Sequence, residues 1–231
     1  MSKKVFIGVG HGGSDPGAVA NGLKEADLNL PIALYCRDEL IRHSVVVQMS
    51  RTKNENDTLS EEIKECNAFN PDLAIDIHNN AGGGDGAEAF YHYKGGLSKT
   101  LADNVLCEIV NIGQNSRGAK IRKNANGKDY YGFIRETYAP AVIVECAFVD
   151  NKTDIAIIDT AEEQKVMGVA IAKGILKTLG INYITPATVS EDTTESEKLY
   201  RVQVGAFKNK DNASALLKKL KSAGFDGFIV G

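Results

Sequence analysis

Two histidines and two glutamates stand where chemistry could gather in this 231-residue sequence: His11, His78, Glu25 and Glu145. His11 follows the apolar run 5–9, His78 follows 73–77, and Glu145 follows 141–144. Continuous apolar runs of that length read as strands buried on both faces. In an open α/β sheet the carboxyl ends of such strands are where sites form. Three polar groups, two of them imidazoles, would then meet on one rim. Two imidazoles and one carboxylate, with a position left for water, are a set that catalytic zinc uses. Glu25 is the best candidate for the carboxylate ligand, because it opens the first helical pattern just after a glycine-rich loop at 10–17 that would let the chain fold back over the rim. Each residue also has a plainer reading. A histidine at a strand end is commonly a hydrogen-bonded structural residue, and an acid opening a helix commonly offsets its dipole.

Glu145 is the fourth member. Its plain alternative is a buried acid paired with Arg135 or another cation, yet an unpaired acid directly after four apolar strand residues is costly to keep without a function. No His-Glu-x-x-His helix, phosphate loop or Gly-x-Ser-x-Gly elbow occurs, so the remaining polar candidates are weaker. Arg51 either pairs with an acid near the site or closes a helix-strand turn. Arg135 either orients a peptide or is a surface cation. His43 is expected in water at the end of the first helix, and His92 exposed near a strand end. Gly82, Gly83 and Gly84 beside His78 read as a loop with room for a long polymer, or as a flexible connection.

The elements that must hold these residues alternate between apolar runs (5–9, 45–49, 73–77, 87–93, 141–144) and helical patterns (28–41, 61–69, 97–112, 164–179). That order predicts an α/β fold with a twisted, mainly parallel but mixed sheet flanked by helices. Leu97, Leu101, Val105 and Ile109 recur at one-turn spacing and form a core stripe. From 183 to 197 the sequence turns to Thr, Ser, Pro and acids without periodicity, as in an exposed linker. Beyond it, 199–207 alternates like a strand, Asp211 can cap a helix carrying Ala213, Leu216, Leu217 and Leu220, Gly224 can close it, and 225–230 reads as a second strand. The expected organisation is therefore a domain at 1–182, a linker at 183–197 and a small β-α-β unit at 198–231.

Charge divides along the same boundary. The net charge is −3, but 198–231 holds seven Lys/Arg against two acids, which leaves −8 on the remainder. A cationic module on an acidic body suits an anionic polymer, and it equally suits a solvated lysine-rich helix face. The four cysteines are scattered without a Cys-x-x-Cys, which argues for reduced thiols rather than a disulfide framework or thiolate metal site. No run is long enough for a signal-peptide core or a membrane span, and nothing points to nucleic acid, so synthesis as a cytoplasmic chain is expected.

Five blocks, in order, resemble the zinc-dependent N-acetylmuramoyl-L-alanine amidases: Gly10-His11-Gly12-Gly13-Ser14-Asp15-Pro16-Gly17-Ala18, Gly22-Leu23-Lys24-Glu25, Ser50-Arg51-Thr52, Ile77-His78-Asn79-Asn80-Ala81, and Pro140-Ala141-Val142-Ile143-Val144-Glu145 with Phe148 and Asn151. The resemblance covers about the first 180 residues. It implies hydrolysis of the amide between N-acetylmuramic acid and the L-alanine of the stem peptide of bacterial peptidoglycan. It further implies His11, Glu25 and His78 as Zn2+ ligands and Glu145 as the general acid/base. Cys146 stands where a small polar residue is expected, and Asp76 where serine is commoner. Pro31 interrupts the first helical pattern, which predicts that Glu25 lies just before the regular helix.

The tail resembles one repeat of the sporulation-related, peptidoglycan-binding (SPOR-like) modules, through Tyr200-Arg201-Val202-Gln203-Val204-Gly205-Ala206-Phe207 and Ala223-Gly224-Phe225. Such modules usually hold two β-α-β halves. A single half of about 34 residues buries little surface, which predicts a homodimer through 198–231. Two other readings stay open: a zinc-containing peptidoglycan-binding protein without turnover, and a zinc peptidase acting inside the stem peptide. Without a secretion signal the expected settings are a phage endolysin or a sporulation mother-cell lysin, reaching the wall after lysis or by a holin-like route.

Overall fold

A computed structural model describes residues 2–186, 204–205 and 209–225. The chain forms two compact units, Met1–Thr185 and Pro186–Gly231. In the first, the elements in order are β1 (Lys4–Val9), β2 (Val19–Ala20), β3 (Leu23–Lys24), α1 (Glu25–Arg42), β4 (Val46–Met49), α2 (Leu59–Phe69), β5 (Leu73–Asn80) and β6 (Ala87–Tyr91). They continue with α3 (Leu97–Asn111), β7 (Ser116–Lys120), α4 (Gly132–Glu136), β8 (Ala141–Phe148), α5 (Lys152–Ile155) and α6 (Ala161–Thr178).

Six strands make one sheet in the order β4-β1-β5-β8-β6-β7. The first four run parallel, β6 is antiparallel to β8, and β7 is parallel to β6. The mixed sheet agrees with the expectation from the apolar runs. Helices cover both faces, which is why β1 and β8 are apolar at nearly every position. On one face Ile32, Leu40, Leu101, Val105, Ile171 and Ile175 pack over Ile7, Ile75 and Val144. On the other, Ile63 and Cys66 of α2 and Phe133 and Ile134 of α4 pack over Phe6, Ala74, Phe90 and Ile143. Thr58 and Glu61 close α2 with reciprocal side-chain bonds, and Thr160 and Glu163 do the same for α6.

Several positions differ from expectation. Glu25 is the first residue of α1 and not a residue before it; Pro31 lies inside the helix. β5 and β8 run further than the apolar runs, so His78 and Glu145 lie within strands, paired directly across them. His43 is buried and not in water: its Nδ1–H donates to the Glu39 carbonyl at 2.9 Å, its Nε2 accepts from the Ile184 amide at 2.9 Å, and Tyr183 stacks on its ring. β7 and α4 have no apolar periodicity to announce them: β7 reads Ser-Arg-Gly-Ala-Lys, a polar edge strand.

In the second unit α7 (Lys210–Ser222) is capped by Asn209, whose side chain accepts the Asp211 amide at 2.7 Å, and not by Asp211 itself. Ala213, Leu216, Leu217 and Leu220 share its half-buried face as expected. The two expected strands, 199–207 and 225–230, lie for the most part outside the described residues. Among the described residues no helix is long and apolar enough to cross a membrane.

Candidate active site

The carboxyl ends of β1 and β5 and the start of α1 bring together three of the four candidate residues at bonding distance. Glu25 is the hub. Its Oε1 lies 2.9 Å from His78 Nδ1 and its Oε2 lies 3.2 Å from His11 Nε2. One ligand atom from each residue falls within 4.8 Å of the others. The two imidazoles meet edge to face, with centroids 5.1 Å apart.

Local backbone explains how the three converge. His11 has φ 61°, a conformation that a side chain rarely accepts and that turns the chain sharply at the end of β1. Gly10 leaves room for His78, since a Cβ there would lie 2.1 Å from that ring. Gly17 (φ +64°) leaves room for Glu25, with only 2.6 Å from a Cβ to Oε2. The glycine-rich loop is thus shaped around the side chains it faces, a closer role than giving the chain freedom to fold back. Glu25 also accepts the amides of Ala18 at 2.9 Å and Asn79 at 3.2 Å. Buried Asn29, one turn along α1, donates to Glu25 Oε1 and to the Gly10 carbonyl. Sequence reasoning passed over Asn29, although a polar residue between Leu28 and Ile32 on a buried stripe was its signal.

Among the described residues Arg51 pairs with no acid at contact distance. Its guanidinium donates to the carbonyls of Val9, Gly10, Ala26 and Lys53 and so ties the loop before His11 to the helix start at Glu25. Arg135 donates to the carbonyls of Asp129 and Tyr130 and pairs with Glu136, so Glu145 is not its partner. His92 pairs with Asp129 at 3.2 Å, and the ligand cluster does not include it. The Gly82 and Gly83 amides both donate to Asp150, and Asn151 donates to the Gly84 carbonyl, so this loop is clamped and is not a flexible connection.

Glu145 lies across the strand from His78 and Glu88. Its Oε2 is buried and has no hydrogen-bond partner among the described residues. Burial pushes its carboxyl up to about 7; His78 opposes that rise, and the nearby Glu25, Asp76 and Glu88 add to it. For Glu25 burial acts upward too, but the two imidazoles and the Ala18 amide outweigh it and hold the carboxyl far below the ordinary range. His78 is the counterpart: burial lowers it, while Asp76 and Glu25 carry it well above its ordinary value. His11 is raised chiefly by Glu25, against burial and with help from Asp15. The arrangement is two basic rings around one anionic carboxylate, with a second, proton-holding carboxyl beside them.

Comparison with known proteins adds the family context. Residues 5–177 match the family described as N-acetylmuramoyl-L-alanine amidase, and residues 169–231 match the SPOR domain. The N-acetylmuramoyl-L-alanine amidase CwlM of Bacillus licheniformis is 35% identical over 98% of this chain and 84% of its own. An endolysin of Bacillus phage SPP1 is 32% identical over 94% of this chain and 80% of its own. Among solved structures, Cwp6 from Clostridium difficile superposes with a TM-score of 0.76 at 39% identity, covering 78% of this chain and 30% of that one. The amidase AmiC2 of Nostoc punctiforme gives 0.70 at 28% identity, covering 77% and 97%.

Proposed function

The chain belongs to the N-acetylmuramoyl-L-alanine amidase family, and from that premise we propose that His11, Glu25 and His78 hold a zinc ion and that Glu145 is the general acid/base of its peptidoglycan-cleaving reaction. The observation that carries this reading is the convergence of three ligand atoms within 4.8 Å beside a buried, partnerless carboxyl oxygen. The donor set fits the group: two imidazole nitrogens and one carboxylate leave a position for water, as catalytic zinc sites do. Glu25 suits the ligand role because it is already held anionic, and zinc takes deprotonated ligands.

A bound zinc ion would polarise the lactyl carbonyl and acidify a water beside it. The chain's own residues do the rest. Glu145, raised toward neutrality, accepts the proton of the attacking water and returns it to the leaving L-alanine nitrogen, so one carboxyl serves as base and then as acid. Arg51 and Asn29 hold the backbone on either side of His11 and Glu25, which keeps the ligand set in place without touching the reacting atoms.

We propose a catalytic domain at 1–182, a linker at 183–197 and a wall-binding repeat at 198–231; the SPOR match, which spans 169–231, and the positive charge of the tail support a wall-binding module in the C-terminal part of the chain. Peptidoglycan is both substrate and anchor, and pairing of two single repeats would give a dimer through 198–231. The relatives include a sporulation-specific amidase of Bacillus subtilis and a phage endolysin, which supports use of this chain as a lysin made in the cytoplasm and reaching the wall on lysis.

The test is release of soluble fragments from purified cell walls. Chelation should abolish release, zinc should restore it, and Glu145→Ala should lose at least about 100-fold in rate while still binding zinc. Released peptides that begin with L-alanine support cleavage at the lactyl amide; peptides cut internally would replace this reading with a zinc peptidase, and walls bound but never cut would replace it with a binding protein.

A further inference from the structure

Resting on the zinc reading above, we infer that Asp76 is a positioning residue: its buried carboxyl accepts the Nε2–H of His78 and commits that imidazole to offering Nδ1 as its ligand atom. His78 is bracketed by acids, with Glu25 Oε1 2.9 Å from Nδ1 and Asp76 Oδ2 3.0 Å from Nε2. A neutral imidazole has a single N–H and cannot serve both. With Nδ1 given over as a ligand on the Glu25 side, that N–H stays on Nε2 and faces Asp76. A carboxylate behind a ligating histidine fixes its tautomer and ring orientation and makes the ring a stronger donor.

His11 shows the same pattern in weaker form. Its Nδ1 lies 2.8 Å from Asp15 Oδ2 and its Nε2 points to Glu25, but the Asp15 side chain is 66% exposed, and its Oδ1 also takes the Gly17 amide at 3.0 Å. Asp76 is 3% exposed, and its Oδ1 has no hydrogen-bond partner among the described residues. A buried carboxyl is costly unless something compensates it, and among the described residues His78 is the one group bonded to this one. The strand alongside accommodates the acid: a Cβ on Gly8 would lie 2.8 Å from Asp76 Oδ1 and 2.0 Å from Glu62 Oε1.

The experiment uses the full chain and zinc, with two readouts besides activity. In nitrogen-resolved NMR of the zinc-loaded wild type, His78 should carry its proton on Nε2; a ring protonated on Nδ1 overturns the inference without any variant. In chelator competition, Asp76→Asn should weaken zinc binding by about 10- to 100-fold, and Asp15→Asn by less. An Asp76→Asn chain that folds and binds zinc as tightly as wild type also overturns it. Wild type that binds no zinc at all would sink the zinc reading itself, whereas tight wild-type binding with an indifferent Asp76→Asn sinks only the role of Asp76.

Discussion

Glu145 and Glu25 are both buried acids on one rim, yet their surroundings drive them in opposite directions. Against burial, two imidazoles keep Glu25 anionic, whereas burial, reinforced by three nearby acids and opposed by His78, pushes Glu145 up to about 7. Such a split is how one site provides an anionic ligand and a proton carrier together. Two pH effects follow. Glu145 must be ionised to take a proton, so kcat/KM should fall about tenfold per pH unit on the acid side. The break should lie at or below about 7, because a cation held by the ligands favours the carboxylate. Stability of the zinc-free chain has its own sign. Folding raises this carboxyl from 4.5 to about 7, so across that window the folded state holds a proton that the unfolded chain has released. The contribution is therefore favourable at low pH and is lost as pH rises. Glu145→Gln should remove this component, and urea midpoints of the two zinc-free chains at several pH values between 4.5 and 7 would show it; parallel midpoint curves would contradict the assignment.

The elements owe their positions to close approaches at a few glycines. Gly168 and Gly174 of α6 face α1 and α3: a Cβ on Gly168 would lie 2.5 Å from the Ile32 carbonyl oxygen, and one on Gly174 would lie 2.5 Å from Val105 Cα. Gly→Ala inside an exposed helix gains about 1 kcal/mol. Here the added methyl meets backbone, so Gly174→Ala should cost about 1–3 kcal/mol, read as a lower Tm. A raised Tm would mean that α6 does not pack this tightly. At this scale much was legible in sequence. The apolar runs located five of the six sheet strands, and their carboxyl ends located the site, because burial on both faces leaves a continuous signature. β7 left none, since an edge strand needs no apolar face and this one carries Arg117 and Lys120, which pair with Glu88. His43 was misread because its burial depends on Tyr183 and Ile184, far along the chain. His11, His78 and Glu145 are legible on one rim with Glu25 folding over it, and Asp76 shares the face of β5 that carries His78 at two-residue spacing; the carbonyl clamp of Arg51 and the Asp15 contact to His11 depend on loop paths that spacing does not specify.

On the scale of the whole molecule, the candidate active site and the basic tail belong to different compact units, Met1–Thr185 and Pro186–Gly231. All four site residues, the sheet and its covering helices fall in the first. On the proposed roles of those residues, a chain ending at Thr185 should fold, bind zinc and cleave a small soluble muropeptide at close to the full-length rate. Insoluble wall is a different substrate. There the tail, with seven Lys/Arg against two acids in 198–231, should hold the acidic body against an anionic polymer that would otherwise repel it. Attachment of this kind raises the local concentration of enzyme without altering the site. Cosedimentation with purified walls should accordingly fall several-fold in the shortened chain. Part of the difference should fade above roughly 0.5 M salt, where surface charges are screened within a few ångströms. If the shortened chain binds walls as well as the full chain at low salt, the tail is not the anchor, and wall affinity must come from the first unit.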